Sequence, residues 1–279
     1  MRKLGLIAGG GDLPIALASH CRSVGRPLFV IRLLGFASPG LRQFEGVDAG
    51  VGELGKGIRA LRRAQCEAVC FAGKVERPDL RHIKPDLRGL KVLPGAIAVA
   101  RQGDDGLLTF LLKEFEAEGF VIEGAHQVMD ALSVPQGVLG RHAPTSAQMA
   151  DAWTAMEAAR AIGRLDIGQA AVSCEGLILA LEAQEGTDAL LERVAGLPAS
   201  LRGTAQERRG VLAKACKPGQ ELRIDLPAIG PRTIRLASEA GLTGIVGEAG
   251  RLLVLDRDET LKMADEMGLF IFGVPLLSP

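Results

Sequence analysis

Two rhythms of apolar and polar positions alternate along the first half of the chain. Short continuous apolar runs at residues 4–8, 27–33, 68–72 and 120–123 read as strands buried on both faces. Between them, apolar residues recurring every three to four positions predict helices over 13–21, 53–64 and 107–118. Asp12 stands where a helix N-cap belongs, with Pro14 tolerated in the first turn, and Asp104 or Asp105 opens the third helix. Strands alternating with helices predict an α/β fold, here a Rossmann-like, mostly parallel sheet.

The rhythm breaks at Pro135, Gly137, Gly140 and Pro144. This divides the chain into a first domain over 1–133, a linker over 134–145 and a second domain over 146–279. Thr145-Ser-Ala-Gln148 is a capping box for a helix over 147–162. Beyond it, strands are predicted at 170–174, 177–181, 210–215 and 221–226, and helices at 188–194, 233–240 and 259–267. That mixture predicts a second domain of mixed α/β type.

Composition narrows the function. The chain carries 33 basic and 33 acidic residues, a formal net charge of zero. Nucleic-acid partners are excluded, because a phosphate backbone needs a basic footprint. One Trp and no Tyr leave no aromatic platform for stacked bases. Hydrophobic residues make up 47% and mean hydropathy is +0.20, yet no apolar run reaches the roughly 20 residues that span a bilayer. The apolar start breaks at Gly9, too early for a signal peptide, and reads as a first strand. Cys66 and Cys70 lie four apart without a second pair or a nearby His, so the five cysteines form no zinc set. They read as reduced core thiols, which points to the cytoplasm.

Candidate chemistry sits at strand ends. Gly9-Gly10-Gly11-Asp12 follows a strand and opens a helix, where phosphate meets backbone N–H groups. It is not a dinucleotide fingerprint, because Pro14 replaces the third Gly or Ala and Ile31 and Arg32 stand where a ribose carboxylate belongs. This disfavours an NAD(P) oxidoreductase and leaves a plain tight turn as the alternative. Gly73-Lys74 ends the third strand and Glu123 the fourth. Ligands of open α/β sheets gather outside the carboxyl ends of strands. Gly11, Asp12, Gly73, Lys74 and Glu123 are therefore expected on one edge, joined by Gln102 and Asp104. A solvated surface lysine is the alternative for Lys74. The charged segment 77–88 reads as a solvated loop.

In the second half, Glu182 and Asp188 flank a turn, Lys214 interrupts an apolar strand, and Asp225 is expected on display along strand 221–226. Thr187 and Asp188 alternatively serve the start of the next helix, and Asp225 alternatively pairs with Arg223. Acidic groups beside a lysine suit a phosphate ligand held through Mg²⁺. The four histidines are scattered, and the zinc-protease, Gly-x-Ser-x-Gly and P-loop motifs are absent, so a metal site would be built from Asp and Glu.

These residues also carry a resemblance. Leu6-Ile-Ala-Gly-Gly-Gly11-Asp12-Leu-Pro14, Phe71-Ala-Gly73-Lys74-Val75, Asp166-Ile-Gly-Gln169, Leu181-Glu-Ala-Gln-Glu-Gly-Thr-Asp188, Lys217-Pro-Gly-Gln220 and Asp225-Leu-Pro-Ala-Ile-Gly230 span nearly the whole chain. In order and spacing they resemble the UDP-2,3-diacylglucosamine pyrophosphatase family of lipid A biosynthesis, in the form unrelated to calcineurin-type phosphoesterases. The resemblance implies hydrolysis of UDP-2,3-diacylglucosamine to UMP and 2,3-diacylglucosamine 1-phosphate, dependent on Mg²⁺ or Mn²⁺, by a cytoplasmic enzyme peripheral to the inner membrane. It implies Asp225 as the catalytic residue, with Glu182 and Asp188 as further metal ligands. Substrate contacts are then expected at Gly11, Asp12, Gly73, Lys74, Gln102, Asp104, Glu123, Thr187 and Lys214. Uridine is expected in the first domain, pyrophosphate between the domains, and the acyl chains in an apolar tunnel at least partly in the second domain or the domain interface. The alternative class is a nucleotide-binding regulatory protein without turnover.

Overall fold

The computed structural model describes residues 1–75, 84–100 and 104–276; the side chains of 97–100 and 104–105 are not described. The chain forms two compact units. The first holds residues 1–130 together with Arg223–Asp225, and the second holds 131–222 and 226–279.

In the first unit the elements run β1 (Leu4–Ala8), α1 (Leu13–Ser23), β2 (Leu28–Leu33), β3 (Gly46–Ala49), α2 (Leu54–Arg63), β4 (Ala68–Ala72), α3 (Leu87–Ala100), α4 (Asp104–Ala117), β5 (Val121–Ile122) and α5 (Ala125–Val128). The five strands pair in parallel in the order β3-β2-β1-β4-β5. This order belongs to a doubly wound sheet, with its reversal point between β1 and β4. The α/β expectation holds. Ile31, Ile7 and Phe71 sit at one level of β2, β1 and β4, and the face they share packs against α2 and α4 through Ile58, Leu61, Leu112 and Phe115. Phe71 and Phe115 meet edge-on with centroids 5.2 Å apart.

The sequence pattern misses β3 and α3. β3 is four residues long, and α3 carries Pro94 and Gly95 inside a helical stretch. What defines the start of α3 is Asp86, whose carboxylate accepts the N–H of Gly89 at 2.8 Å and that of Lys56 on α2 at 2.8 Å. The described end of the charged segment thus builds a helix start, while residues 76–83 lie outside the described residues.

In the second unit the elements run β6 (Gly137–Leu139), α6 (Ser146–Arg164), β7 (Ala170–Cys174), β8 (Leu177–Leu181), α7 (Gly186–Ala195), β9 (Val211–Lys214), β10 (Ala228–Ile229), α8 (Pro231–Glu239), β11 (Gly244–Glu248), β12 (Leu253–Val254), α9 (Arg257–Glu266) and β13 (Phe270–Val274). Six strands form a mixed sheet in the order β6-β13-β11-β9-β7-β8, parallel from β13 to β9 and antiparallel outside. The capping box forms as expected: Thr145 N–H reaches Gln148 Oε1 at 2.8 Å, and the Gln148 N–H reaches Thr145 Oγ1 at 3.3 Å. α6 packs one face through Ala152, Ala155, Met156 and Ala159, and α7, α8 and α9 cover the other. The turn of the β7–β8 hairpin is Glu175-Gly176, both at positive φ, and buried Asp151 accepts both N–H groups at 2.9 and 2.8 Å.

Two expectations need correction here. Residues 137–139, read as linker, form the edge strand β6 paired with β13. Residues 221–226 are not a strand: Leu222–Ile224 make a turn, and strand structure resumes only at Ala228, after Pro227. The apolar alternation there is satisfied by packing instead, with Ile224 against the core of the first unit. Asp225 therefore directly follows a turn, and Arg223–Asp225 group with the first unit while Leu222 and Leu226 group with the second.

Candidate functional site

At the carboxyl edge of the first sheet the loops after β1 and β4 are bonded to each other. Gly10 N–H donates to Lys74 O at 2.8 Å and Lys74 N–H returns to Gly10 O at 2.9 Å. Glycine is required by this approach: a Cβ on Gly9 would lie 2.8 Å from Lys74 O, and one on Gly73, at φ +91°, 2.6 Å from Gly10 O. The bridge brings Gly11, Asp12, Gly73 and Lys74 together, all exposed. Asp12 occupies the N-cap position of α1, but its side chain makes no capping bond, so the carboxylate is not used by the helix.

Glu123 is not part of this edge. β5 is two residues long and pairs only with Ala68 and Val69, so it stops short of the carboxyl end of β4. Glu123 instead forms an ion pair with Arg26 at 2.8 Å, beside Met1 and Arg2. Gln102 lies outside the described residues. Asp104 is the first residue of α4.

Behind the same sheet edge lies an apolar cavity of about 260 Å³, with Ile7, Ile31 and Phe71 on the sheet side, α2 on one wall, and Leu111 and Phe115 of α4 on another.

In the second unit Glu182, Thr187 and Lys214 form a buried chain. Lys214 Nζ donates to Thr187 Oγ1 at 2.9 Å and to Ala228 O at 3.0 Å. Thr187 Oγ1 donates to Glu182 Oε1 at 2.7 Å, and Glu182 Oε2 accepts the Gln169 N–H at 2.9 Å. Burial pushes the Lys214 ammonium below its ordinary value, and the charges of Glu182 and Asp188 offset part of that shift. Thr187 thus spends its hydroxyl on the lysine and the glutamate rather than on capping α7. Asp188 does lie in the first turn of α7 and pairs with Arg232 at 2.8 Å.

Sequence reasoning missed a second polar site in this unit. At the ends of β9 and β11 a pocket of about 280 Å³ is lined by Arg160, Arg164, Lys217, Glu248 and Arg251, closed by the Lys217-Pro-Gly-Gln220 turn. Glu248 accepts Arg160 Nη2 at 2.9 Å through Oε1, while its buried Oε2 has no hydrogen-bond partner. The turn is fixed by Gln220, whose Oε1 accepts the Lys217 N–H at 2.9 Å. The Lys217-Pro-Gly-Gln220 motif is the one sequence signal of this place. The arginines came from a helix and a loop that showed no motif.

The cysteines are free, as expected, and buried except for half-buried Cys216. Burial raises the Cys66 thiol to about 11 and the Cys70 thiol to about 12, so both are protonated at neutral pH. Among the described residues no three His, Cys, Asp or Glu side chains gather into a metal cluster. A divalent metal would take most of its ligands from water and from phosphate oxygens, which is how Mg²⁺ is commonly held. Such a metal needs only one or two carboxylates from the protein. Glu182 fits that role poorly, because both its oxygens already accept internal donors.

The two halves match two family descriptions, the LpxI N-terminal domain over residues 3–132 and the LpxI C-terminal domain over residues 135–272. The chain belongs to the LpxI family. Among LpxI relatives, the UDP-2,3-diacylglucosamine pyrophosphatase LpxI of Caulobacter vibrioides is 60% identical over 274 residues, covering 98% of each chain. Similarity to solved structures is slight. CobK precorrin-6A reductase aligns with 100% of this chain and 89% of its own at 12% identity and a TM-score of 0.32. The N5-carboxyaminoimidazole ribonucleotide synthetase of Thermotoga maritima aligns with 66% and 42% at 13% identity and a TM-score of 0.24. At those scores neither defines the fold of this LpxI chain.

Proposed function

We propose that this chain hydrolyses the pyrophosphate of UDP-2,3-diacylglucosamine to UMP and 2,3-diacylglucosamine 1-phosphate, in the cytoplasm and at the surface of the inner membrane. The observation that carries the proposal is the 60% identity, over 98% of both chains, to a relative named for that activity. Among the described residues no helix is long and apolar enough to cross a membrane, so contact with lipid is peripheral in this reading.

The substrate's parts find matching chemistry. Arg164, Lys217 and Arg251 offer cationic donors to phosphate oxygens, and Arg is suited to paired bonds with such groups. Glu248 Oε2, which has no hydrogen-bond donor and lies 3.8 Å from the Arg251 guanidinium, is an acceptor for a nucleotide hydroxyl or N–H. We therefore place the UMP end in the second unit rather than at the Gly-rich edge of the first. Asp12 and Lys74, exposed and adjacent on that edge, are left to the sugar phosphate. In this reading Asp225 is the catalytic carboxylate and would hold Mg²⁺ or Mn²⁺. A metal so held neutralises phosphate charge and lowers the pKa of a bound water. Phosphoryl transfer needs mainly positioning and charge stabilisation, which a few lysines, arginines and one carboxylate supply. In this reading Glu182, Thr187 and Lys214 brace β9 against α7 and do not touch substrate.

The test is a hydrolysis assay with titrated metal. Turnover of UDP-2,3-diacylglucosamine that disappears with EDTA and returns with Mg²⁺ is expected. Full turnover in metal-free buffer would remove the metal from the reading, and no turnover under any condition would leave a nucleotide-binding protein.

A further inference from the structure

The edges of the two larger sheets are not protected alike. An edge strand carries backbone N–H and C=O groups with no ladder partner, and folds blunt such edges with short strands, charges or proline. Among the described residues these sheets have four edges, and three are blunted. β3 follows Glu45 and carries Asp48, which accepts Arg32 Nε at 2.6 Å. β5 is two residues long. β6 is three residues long and lies between Pro135 and Gly140, the latter at φ +99°. The fourth edge, β8, is the five-residue run Leu177-Ile-Leu-Ala-Leu181, with no charge, proline or glycine in it.

We propose that two copies of this chain associate through β8, edge to edge, as a two-fold symmetric dimer. Leu177, Ile178 and Leu181 are 59%, 40% and 39% exposed, so the open edge is also an apolar strip. The strip continues past the strand. Gly168 packs on the Glu182 carbonyl, which brings exposed Leu165 and Ile167 beside the end of β8. Glu182 adds no free charge there, because its oxygens accept the Gln169 N–H and the Thr187 hydroxyl. A contiguous apolar surface that also presents an open strand marks an association site.

The backbone selects the occupant. Glu182 N–H donates to Ala170 O at 2.9 Å, and Ala215 N–H donates to Gln169 O at 2.9 Å, so successive residues of β7 serve β8 and β9 in turn. This phase turns the N–H and C=O groups of Ile178 and Leu181 to the open side of β8. Leu181 O accepts Arg193 Nη2 at 2.7 Å, and a carbonyl oxygen has a second lone pair for a ladder bond. The hydrocarbon of a lipid surface offers such groups no partners. A strand does. An antiparallel pair on a two-fold axis between Leu179 and Ala180 sets Ile178 of each copy opposite Leu181 of the other, which is the self-complementary contact a symmetric dimer requires. Two uncharged strips meet without like-charge repulsion, and a chain of zero net charge adds none at longer range. The inference does not depend on the reaction proposed above.

Sedimentation equilibrium of the full chain tests the contact. The wild type should show a mass of twice 29.3 kDa. Ile178→Lys, which puts a charge on the strip in both copies, should halve that mass while melting at the wild-type temperature. A wild type that stays a single chain at every concentration would overturn the inference, and so would a folded Ile178→Lys protein that still dimerises. Where the variant does not fold, hydrogen exchange of the wild type decides. Ile178 and Leu181 amides protected like those inside the sheet support the contact, and amides that exchange as fast as exposed loops overturn it. A single-chain wild type that floats with phosphatidylglycerol vesicles, and loses them in Ile178→Lys, would give the strip to a lipid surface and overturn the dimer.

Discussion

Each unit ends its parallel strands beside an open space, and the two spaces are opposite in chemistry. In the first unit the space is walled by Ile7, Ile31, Phe71, Leu111 and Phe115. In the second it is walled by three arginines, a lysine and a glutamate. The difference follows from where each space lies. The first is sandwiched between a sheet face and two helices, so its walls are the inward residues of both. The second sits over the loops after β9 and β11, where polar side chains keep access to water. A substrate with acyl chains at one end and a nucleotide at the other needs both kinds of place. Burying hydrocarbon is worth about 0.8 kcal/mol per CH₂, and a hydrogen bond to a charged group roughly 1.5–3 kcal/mol. In the proposed function the basic pocket orients the nucleotide end.

Asp225 belongs to neither space by sequence position alone, and replacing it should have the largest effect. Asp225→Ala is expected to reduce kcat at least a thousandfold with the fold intact, read by circular dichroism melting beside the hydrolysis assay. Near-normal turnover at saturating Mg²⁺ would remove this residue from catalysis. Residues 1–133 alone should give no turnover, since they lack Asp225 and the basic pocket; a truncated protein that still hydrolyses the substrate would end the division of labour.

The basic pocket is tested next. Arg164→Ala and Arg251→Ala should each weaken inhibition by UMP by roughly 10- to 100-fold, the equivalent of one charge-assisted bond. The apolar space is sharpened by comparing UDP-2,3-diacylglucosamine with UDP-GlcNAc. Equal kcat/KM on both would mean that the chains are not recognised, and the contrast between the units would lose its meaning.

A smaller effect concerns Lys214. Burial holds its pKa below 10.5, so the native state releases that proton before the unfolded state does. As pH rises through the depressed value towards 10.5 the unfolded state binds more protons, and stability rises. The melting temperature of the wild type should therefore gain on that of Lys214→Met across that window. No relative gain would mean that the lysine is not desolvated. The smallest effect is at Cys216, the half-buried thiol on the rim of the basic pocket. UMP should slow its alkylation by a maleimide a few-fold, with the four buried cysteines unreactive throughout. Alkylation indifferent to UMP would place the nucleotide elsewhere.

Much of the architecture was legible from residue order. The runs at 4–8, 68–72, 170–174 and 177–181 are strands with those bounds, and Thr145 and Gln148 cap α6 as their spacing predicts. Such features are set by local periodicity and by contacts three residues apart, which a sequence displays directly. The strands β11 and β13 escaped because short apolar runs containing glycine carry no period that separates strand from loop. The alternation around Asp225 misled for a related reason. Alternating apolar residues report that one side is buried, and a turn that belongs to the first unit's core buries Ile224 as well as a sheet would.

What residue order by itself determined is the α/β class, most strand and helix positions, and the family, because each rests on local pattern or on ordered motifs. Tertiary structure alone decided the sites. Arg160 and Glu248 meet across 88 positions, and Glu123 turns to Arg26 because β5 ends early. A cavity is a property of surfaces brought together from distant segments, and its absence of atoms leaves no mark in a list of residues.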